Sequence, residues 1–244
     1  MRALVTGASS GIGREMALLL SERGYEVIAC GRDEKRLEAL AEETGCLVIR
    51  AELSDVSECR RVYDEAGDID FFFNNAGFGA AGSLWQTDSD AAMVDVNVRA
   101  AQVLLRLVLC DMTARKSGVI VNTASAAGFM PGPSMAVYYA TKAYMVSISS
   151  AAWFEARPFG VYVGALCPGP VATDFFRRAG ASVKVKPRSA KSVARYTLAC
   201  AEKRRRLILP GADAKLAHIA GKLLPARLLM WGEAKLSAAH PPVR

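Results

Sequence analysis

Short apolar runs alternate with helix-period segments along most of the chain, and this alternation restricts the fold more than any other feature. Ala3–Thr6, Glu26–Cys30, Cys46–Ala51, Ile69–Asn74, Gly118–Thr123, Val161–Leu166 and Leu207–Leu209 read as strands. Between them, Gly11–Arg23, Glu34–Thr44, Val56–Ala66, Val137–Arg157 and Arg188–Lys203 read as helices, and Asp88–Ala114 holds one or two more. Successive strands joined through helices have room to run parallel, so the expectation is an α/β, doubly wound parallel sheet. No repeat or linker-like stretch interrupts residues 1–244, so a single domain is expected. Such a sheet binds its ligand outside the carboxyl ends of its strands, so the loops there are the ones to read for function.

The first of these loops is Thr6-Gly7-Ala8-Ser9-Ser10-Gly11-Ile12-Gly13. Glycines between a strand and a helix permit a tight turn, close approach of backbone N–H groups to a pyrophosphate, and close helix–strand packing. Three glycines can also be purely structural, but strand before and helix after favour a dinucleotide. Strand two ends in Gly31-Arg32, where an NAD site would want an acidic residue for the ribose 2′-hydroxyl. Gly31 has no side chain to offer, and Arg32 has a fork suited to a 2′-phosphate, so NADP(H) is preferred over NAD(H). Arg14 is a weaker candidate to assist.

A second constellation lies further along. Tyr138 and Lys142 are four residues apart on the long helix and so share a face. A lysine beside a phenol is expected to lower its pKa from about 10, making it an acid/base near neutral pH. Ser125 stands ready to orient a carbonyl or alcohol oxygen. Tyr139 lacks the spacing to Lys142 and is expected to pack. With the glycine turn, these residues point to hydride transfer between a nicotinamide cofactor and a carbonyl.

In order and spacing, Thr6-Gly7-x-x-x-Gly11-x-Gly13, Asn74-Asn75-Ala76-Gly77, Asn97, Ser125, Tyr138-x-x-x-Lys142 and Pro168-Gly169-x-x-x-Thr173 resemble the short-chain dehydrogenases/reductases, from Leu4 to about Gly211. The resemblance implies a Rossmann-like fold. It implies a cofactor cradle of Gly7, Ser9, Ser10, Gly11, Ile12 and Gly13, and further contacts from Asn75, Ala76 and Gly77. Tyr138 would be the acid/base, and Lys142 would tune it and hold the nicotinamide ribose. Ser125 would position the substrate oxygen, and Asn97 would hold a proton-relaying water. Pro168, Gly169, Val171 and Thr173 would flank the nicotinamide. Glu52-Leu53 stand where the family commonly has Asp-Val or Asp-Leu beside adenine. The resemblance also implies a mobile lid, placed at 175–195, and a dimer or tetramer built on helices near 97–114 and 137–157. Leu104, Leu105, Leu107, Val108, Ala151, Ala152 and Trp153 are candidates for that surface.

Charge is unevenly spread. From Arg177 onward there are 16 Lys/Arg against 3 Asp/Glu, a net of +13, whereas residues 1–176 carry a net of −6. With Phe175, Phe176, Arg177 and Arg178 in the lid, this suggests an apolar substrate bearing an anionic group. A lipid-like molecule such as a hydroxysteroid fits, and so does a 3-oxoacyl thioester. No nucleic-acid motif accompanies the charge. Residues 214–236 read as an amphipathic basic helix interrupted by Pro225; packing on the body is the first expectation, with an oligomer interface or peripheral membrane contact as others. Phe78 and Trp85 are placed beside the substrate cleft. His218 and His240 have no partner at metal-ligand spacing, and no metal is expected. The six scattered cysteines read as small buried residues in a reducing, cytoplasmic setting. Met1-Arg2 leads straight into strand-like residues, so no signal peptide is expected. The last residues, Pro241–Arg244, are expected to fray. A non-catalytic NADP(H)-binding sensor on the same fold is the contrasting reading, weakened by the joint presence of Asn97, Ser125, Tyr138 and Lys142.

Overall fold

The computed structural model describes residues 1–182 and 185–236, leaving His240 and Pro241–Arg244 outside the described part. Seven parallel strands form one sheet in the order β3-β2-β1-β4-β5-β6-β9. They are β1 (Arg2–Thr6), β2 (Glu26–Gly31), β3 (Leu47–Arg50), β4 (Phe71–Asn74), β5 (Gly118–Thr123), β6 (Val161–Leu166) and β9 (Leu207–Ile208). The chain reverses direction across the sheet between β3 and β4, and β1 and β4 become neighbours there.

Alternation along each strand serves two cores, because successive side chains leave opposite faces. Ala3, Val5, Phe71 and Phe73 pack with Met16, Leu20, Leu37, Leu40 and Leu198 on one face. Leu4 and Phe72 pack with Cys59, Val62, Leu104, Val108 and Ala152 on the other. The first face is covered by α1 (Gly11–Glu22), α2 (Glu34–Thr44) and α8 (Ala190–Glu202); the second by α3 (Val56–Ala66), α5 (Ala101–Arg115) and α6 (Ala136–Ala156).

Three of the sheet-covering helices start with a side-chain cap. Asp33 accepts from the Arg36 N–H at 3.2 Å, Asp55 from Ser57 at 2.8 Å and Ser189 from Ser192 at 3.2 Å. At α1, by contrast, Ser10 makes no side-chain cap and no acidic residue lies in the first turn.

Several expectations are corrected. Arg188–Ser189 is not helical but forms β8, pairing with β7 (Val171–Ala172), so the helix begins at Ala190. The region 88–114 divides into α4 (Asp90–Val94), a π-helical stretch Asp95–Ala100, and α5. Of the residues placed on an oligomer surface, Leu104, Leu105, Val108 and Ala152 are spent in the core. Trp85 is 75% exposed and does not border the cleft. Cys110 is exposed, whereas Cys30, Cys46, Cys59 and Cys167 are buried.

The amphipathic segment is two helices, α9 (Ala212–Leu223) and α10 (Ala226–Leu236), broken at Pro225. It folds back onto the body, as first expected. A Cβ on Gly221 would lie 2.2 Å from the Phe129 carbonyl oxygen, and His218 meets the Phe129 ring edge-on at 4.6 Å. Among the described residues, no helix is long and apolar enough to cross a membrane.

Candidate active site

The carboxyl ends of β1, β2, β4, β5 and β6 open into a cleft of about 1100 Å³. One end is made mainly of backbone. Gly7 (φ 67°) and Gly11 (φ 57°) adopt left-handed conformations that strain other residues. A Cβ on Gly13 would lie 2.2 Å from the Gly7 carbonyl oxygen, so Gly13 acts from behind the cleft by letting α1 approach the turn. Thr6 closes the same corner. Its hydroxyl accepts the N–H groups of Asn75 (2.8 Å) and Ala76 (3.0 Å), tying the end of β1 to the loop after β4. Asn75 reinforces it through its amide to the Thr6 carbonyl (3.0 Å) and by accepting from Thr123 (3.1 Å).

Ser9, Ser10, Gly11, Ile12, Arg32, Glu52, Leu53, Asn75, Ala76 and Gly77 all line this end. The uncapped N–H groups of α1 therefore face it without a carboxylate to compensate them, as an anion site requires. Arg32 pairs with Glu52 at 3.2 Å across the rim. Burial tends to raise the Glu52 pKa, but hydrogen bonds from Ser54 and Arg32 hold it below the usual range. Asp33 is committed to capping α2 and to an ion pair with Arg36 at 3.2 Å. Arg14 is paired with Glu43.

Ser125, Tyr138 and Lys142 meet in the middle of the cleft. Ser125 leaves β5 as the cap of a 3₁₀ turn, accepting from the Ala127 N–H at 3.1 Å. Lys142 is buried, donates to the Thr123 carbonyl at 2.9 Å, and lies 5.8 Å from the Tyr138 ring centre. The expected lowering of the Tyr138 pKa is not seen in the protein alone. Burial pushes the phenol up to about 12, against a smaller downward pull from Ser125. Burial likewise pushes Lys142 down to about 8. Desolvation thus favours the neutral form of both groups.

Asn97 stands behind Gly77 rather than in the cleft wall. Its Oδ1 accepts the Phe78 N–H at 3.0 Å, and its Nδ2 donates to the Phe78 carbonyl (2.8 Å) and to Thr141 (3.2 Å). Both amide hydrogens are thereby used. Beneath it, Asn74 bonds Asn122 at 2.9 Å and Asn122 bonds Ser149 at 3.0 Å, a buried chain linking β4, β5 and α6. Thr141, Asn122 and Ser149 were missed in the sequence because each looks like an ordinary polar residue until its neighbours are known.

Pro168, Gly169, Val171 and Thr173 follow β6 along the cleft wall. A Cβ on Gly169 would lie 1.9 Å from an Asp213 carboxylate oxygen, and one on Gly11 would meet Thr173 at 2.9 Å. Beyond them the cleft becomes apolar, lined by Phe78, Met130, Met135, Phe175, Phe176 and Leu229. Phe175 opens α7 (Phe175–Ala179) and tilts against Tyr138, with ring centres 5.1 Å apart. Arg178 reaches the lining but Arg177 does not, and both pair with Asp174. Tyr139 does more than pack: its hydroxyl donates to Glu233 of α10 at 2.5 Å, pinning the tail over this end.

The model of the family described as short chain dehydrogenase matches residues 1–184. The chain belongs to the short-chain dehydrogenase family. An uncharacterised short-chain type dehydrogenase/reductase of Sinorhizobium fredii is 43% identical over 183 residues, 72% of each chain. A short-chain dehydrogenase from Sphingobium yanoikuyae, solved in complex with NADPH, superposes with a TM-score of 0.82 at 29% identity, covering 91% of this chain and 92% of that one. A short-chain dehydrogenase/reductase from Burkholderia phymatum, solved with NAD, gives 0.82 at 26% identity, covering 100% and 97%. As a short-chain dehydrogenase, the protein is an oxidoreductase of CH–OH and C=O groups with a nicotinamide-nucleotide site.

Proposed function

We propose that this short-chain dehydrogenase interconverts a bulky apolar ketone and its secondary alcohol with NADP(H), using Tyr138 as acid/base. The observation that carries this reading is the cleft itself. Ser125, Tyr138 and Lys142 lie between a glycine-walled end and an aromatic and aliphatic one. Its residues fit the cofactor, because the uncapped start of α1 offers N–H groups to a pyrophosphate. NADP(H) is favoured over NAD(H) because Arg32 is the cation at the end of β2. Asp33, the nearest acidic residue along the chain, is already engaged by Arg36. The NADPH complex of the Sphingobium relative is in keeping with this, while the NAD complex of the Burkholderia relative makes a direct comparison of cofactors necessary.

A bound reduced nicotinamide supplies the hydride to the carbonyl carbon. The protein's part is to hold the carbonyl oxygen between the Ser125 hydroxyl and Tyr138 Oη. Tyr138 Oη gives its proton to that oxygen as negative charge develops there. Lys142 Nζ stabilises the phenolate left behind, and Asn97 holds the Phe78 loop and Thr141 in place beside it. A neutral phenol suits the reducing direction, since it keeps its proton until the substrate oxygen needs it. An apolar substrate is favoured by the far wall, where Phe78, Met135 and Phe175 offer carbon surface.

The test is NADPH and NADH oxidation by purified protein against ketosteroids, other bulky ketones, 3-oxoacyl thioesters and simple ketones. Tyr138→Phe serves as control. Turnover with NADPH on bulky ketones, lost in the variant, is the expected result. Tight NADPH binding without turnover on any of these would put the sensor reading ahead, and preference for NADH would remove Arg32 from its assigned role.

A further inference from the structure

The two tail helices are amphipathic in a particular way. Ala214, Ala217, His218 and Gly221 of α9 recur at helical spacing and turn toward the body. On α10, Leu229, Gly232 and Glu233 do the same and line the cleft. The opposite faces are apolar as well. Leu223 is 75% exposed, Trp231 63% and Ile219 51%, and Met230 is exposed beside them. Monomeric surfaces tolerate single exposed apolar residues, but a contiguous set marks an interaction site.

Charge indicates what that site meets. Lys215 and Lys222, seven residues apart, are exposed on the outward face of α9, and Arg227 is exposed on α10 on the face away from Leu229 and Gly232. Residues 212–236 carry Lys215, Lys222, Arg227 and Lys235 against Asp213 and Glu233, a net of +2. Asp213 is paired with Arg188 at 3.3 Å, and Glu233 accepts from Tyr139 beneath α10. A second copy seated here about a twofold axis would bring like charges together. A surface of anionic headgroups would be attracted by all three cations and would take the exposed aliphatic side chains.

The cleft opens on the same side. Leu216, Leu224 and Leu228 line it and are also 65%, 48% and 55% exposed, so its apolar end communicates with the outward face of the tail. We propose that α9 and α10 dock the protein on an anionic lipid surface, with the substrate end of the cleft facing that surface. Delivery of an apolar ketone from the lipid rests on the function proposed above; docking itself does not, and is measured without turnover.

The experiment is co-sedimentation of the full chain with phosphatidylcholine vesicles and with vesicles in which a third of the lipid is phosphatidylglycerol. Binding to the anionic vesicles well above the neutral ones is expected, weakening as salt is raised. Lys215→Glu/Lys222→Glu/Arg227→Glu should weaken it roughly tenfold or more. Ile219→Ser/Leu223→Ser should weaken it at fixed charge. None of these residues lines the cleft, so NADPH binding and the thermal midpoint should stay as in the parent and show that the variants fold. Equal binding to both vesicle types, or a charge-reversed variant that binds as the parent does, would overturn the proposal. So would self-association that Ile219→Ser/Leu223→Ser abolishes in a protein that ignores vesicles, which would give this face to a second copy.

Discussion

The two ends of the cleft are built on different principles. At the nucleotide end, shape comes from backbone and from missing side chains: Gly7, Gly11 and Gly13 leave room that any Cβ would take, and Thr6 and Asn75 bind main chain to main chain. At the substrate end, shape comes from side chains of distant segments, with Phe175 against Tyr138 and Glu233 of α10 held by Tyr139. The first end rests on the β1–β4 junction of the sheet, and the second on a short helix and a tail. A protein made this way can change what it reduces without disturbing what it reduces it with.

That contrast can be broken at several points. The largest effect is expected from Tyr138→Phe, which should lower kcat by roughly 10²–10⁴-fold. NADPH affinity, measured by fluorescence titration, should stay close to that of the parent; a matching loss of affinity would mean that the two ends are not separable. Arg32→Ala should weaken NADPH binding roughly ten- to a hundredfold, the worth of a charge-assisted hydrogen bond, and leave NADH binding and the KM for ketone unchanged. A shift in ketone KM instead would place Arg32 in the wrong half.

Lys142 tests the middle of the cleft through pH. Its pKa falls from 10.5 to about 8 on folding, so between those values the unfolded chain binds more protons and stability must rise with pH. The cost of burying the cation is fully present below about pH 8 and disappears as pH climbs toward 10.5. Lys142→Met lacks this dependence, so the stability gap between parent and variant should shift in the parent's favour from pH 8 to 10, by no more than about 1.4 kcal/mol per pH unit. Denaturant unfolding at a series of pH values measures it, and a constant gap would mean that Lys142 is solvated. The smallest effect is expected of Tyr139→Phe, which removes the bond to Glu233 at a cost of about 1 kcal/mol. It should raise KM for bulky ketones while sparing small ones and NADPH; equal changes for all substrates would mean that α10 does not wall the substrate end.

The same division explains what could be read in advance. Strand and helix order followed from apolar periodicity, since residues such as Leu4 and Phe72 alternate with Val5 and Phe73 to fill two cores. The nucleotide end followed from its glycines, because a position that excludes Cβ leaves a mark in the sequence. The substrate end left no such mark. Glu233 is 94 residues from Tyr139, and nothing local to either announces the pair. Arg188–Ser189 looked helical because its partner is the distant Val171–Ala172. Leu104 and Val108 looked like surface for a partner because periodicity shows that a face is apolar without showing what covers it. The Tyr138 pKa went the other way for a related reason: spacing reveals a neighbouring charge but not the depth at which both groups lie.

The π-helical stretch Asp95–Ala100 holds one residue more than an α-helical path would need, and with it Asn97 reaches Phe78 and Thr141 while Leu104 and Val108 remain in the core. Deleting a single residue between Asn97 and α5 would let the backbone close into a continuous α-helix; α4 would keep its face, because the wider turn had absorbed the extra residue, but Asn97 inside the stretch would shift in register against α5. Asn97 would swing away from the Phe78 loop even though every side chain in the site survived. At this point the protein depends on the length of its chain as well as on its composition.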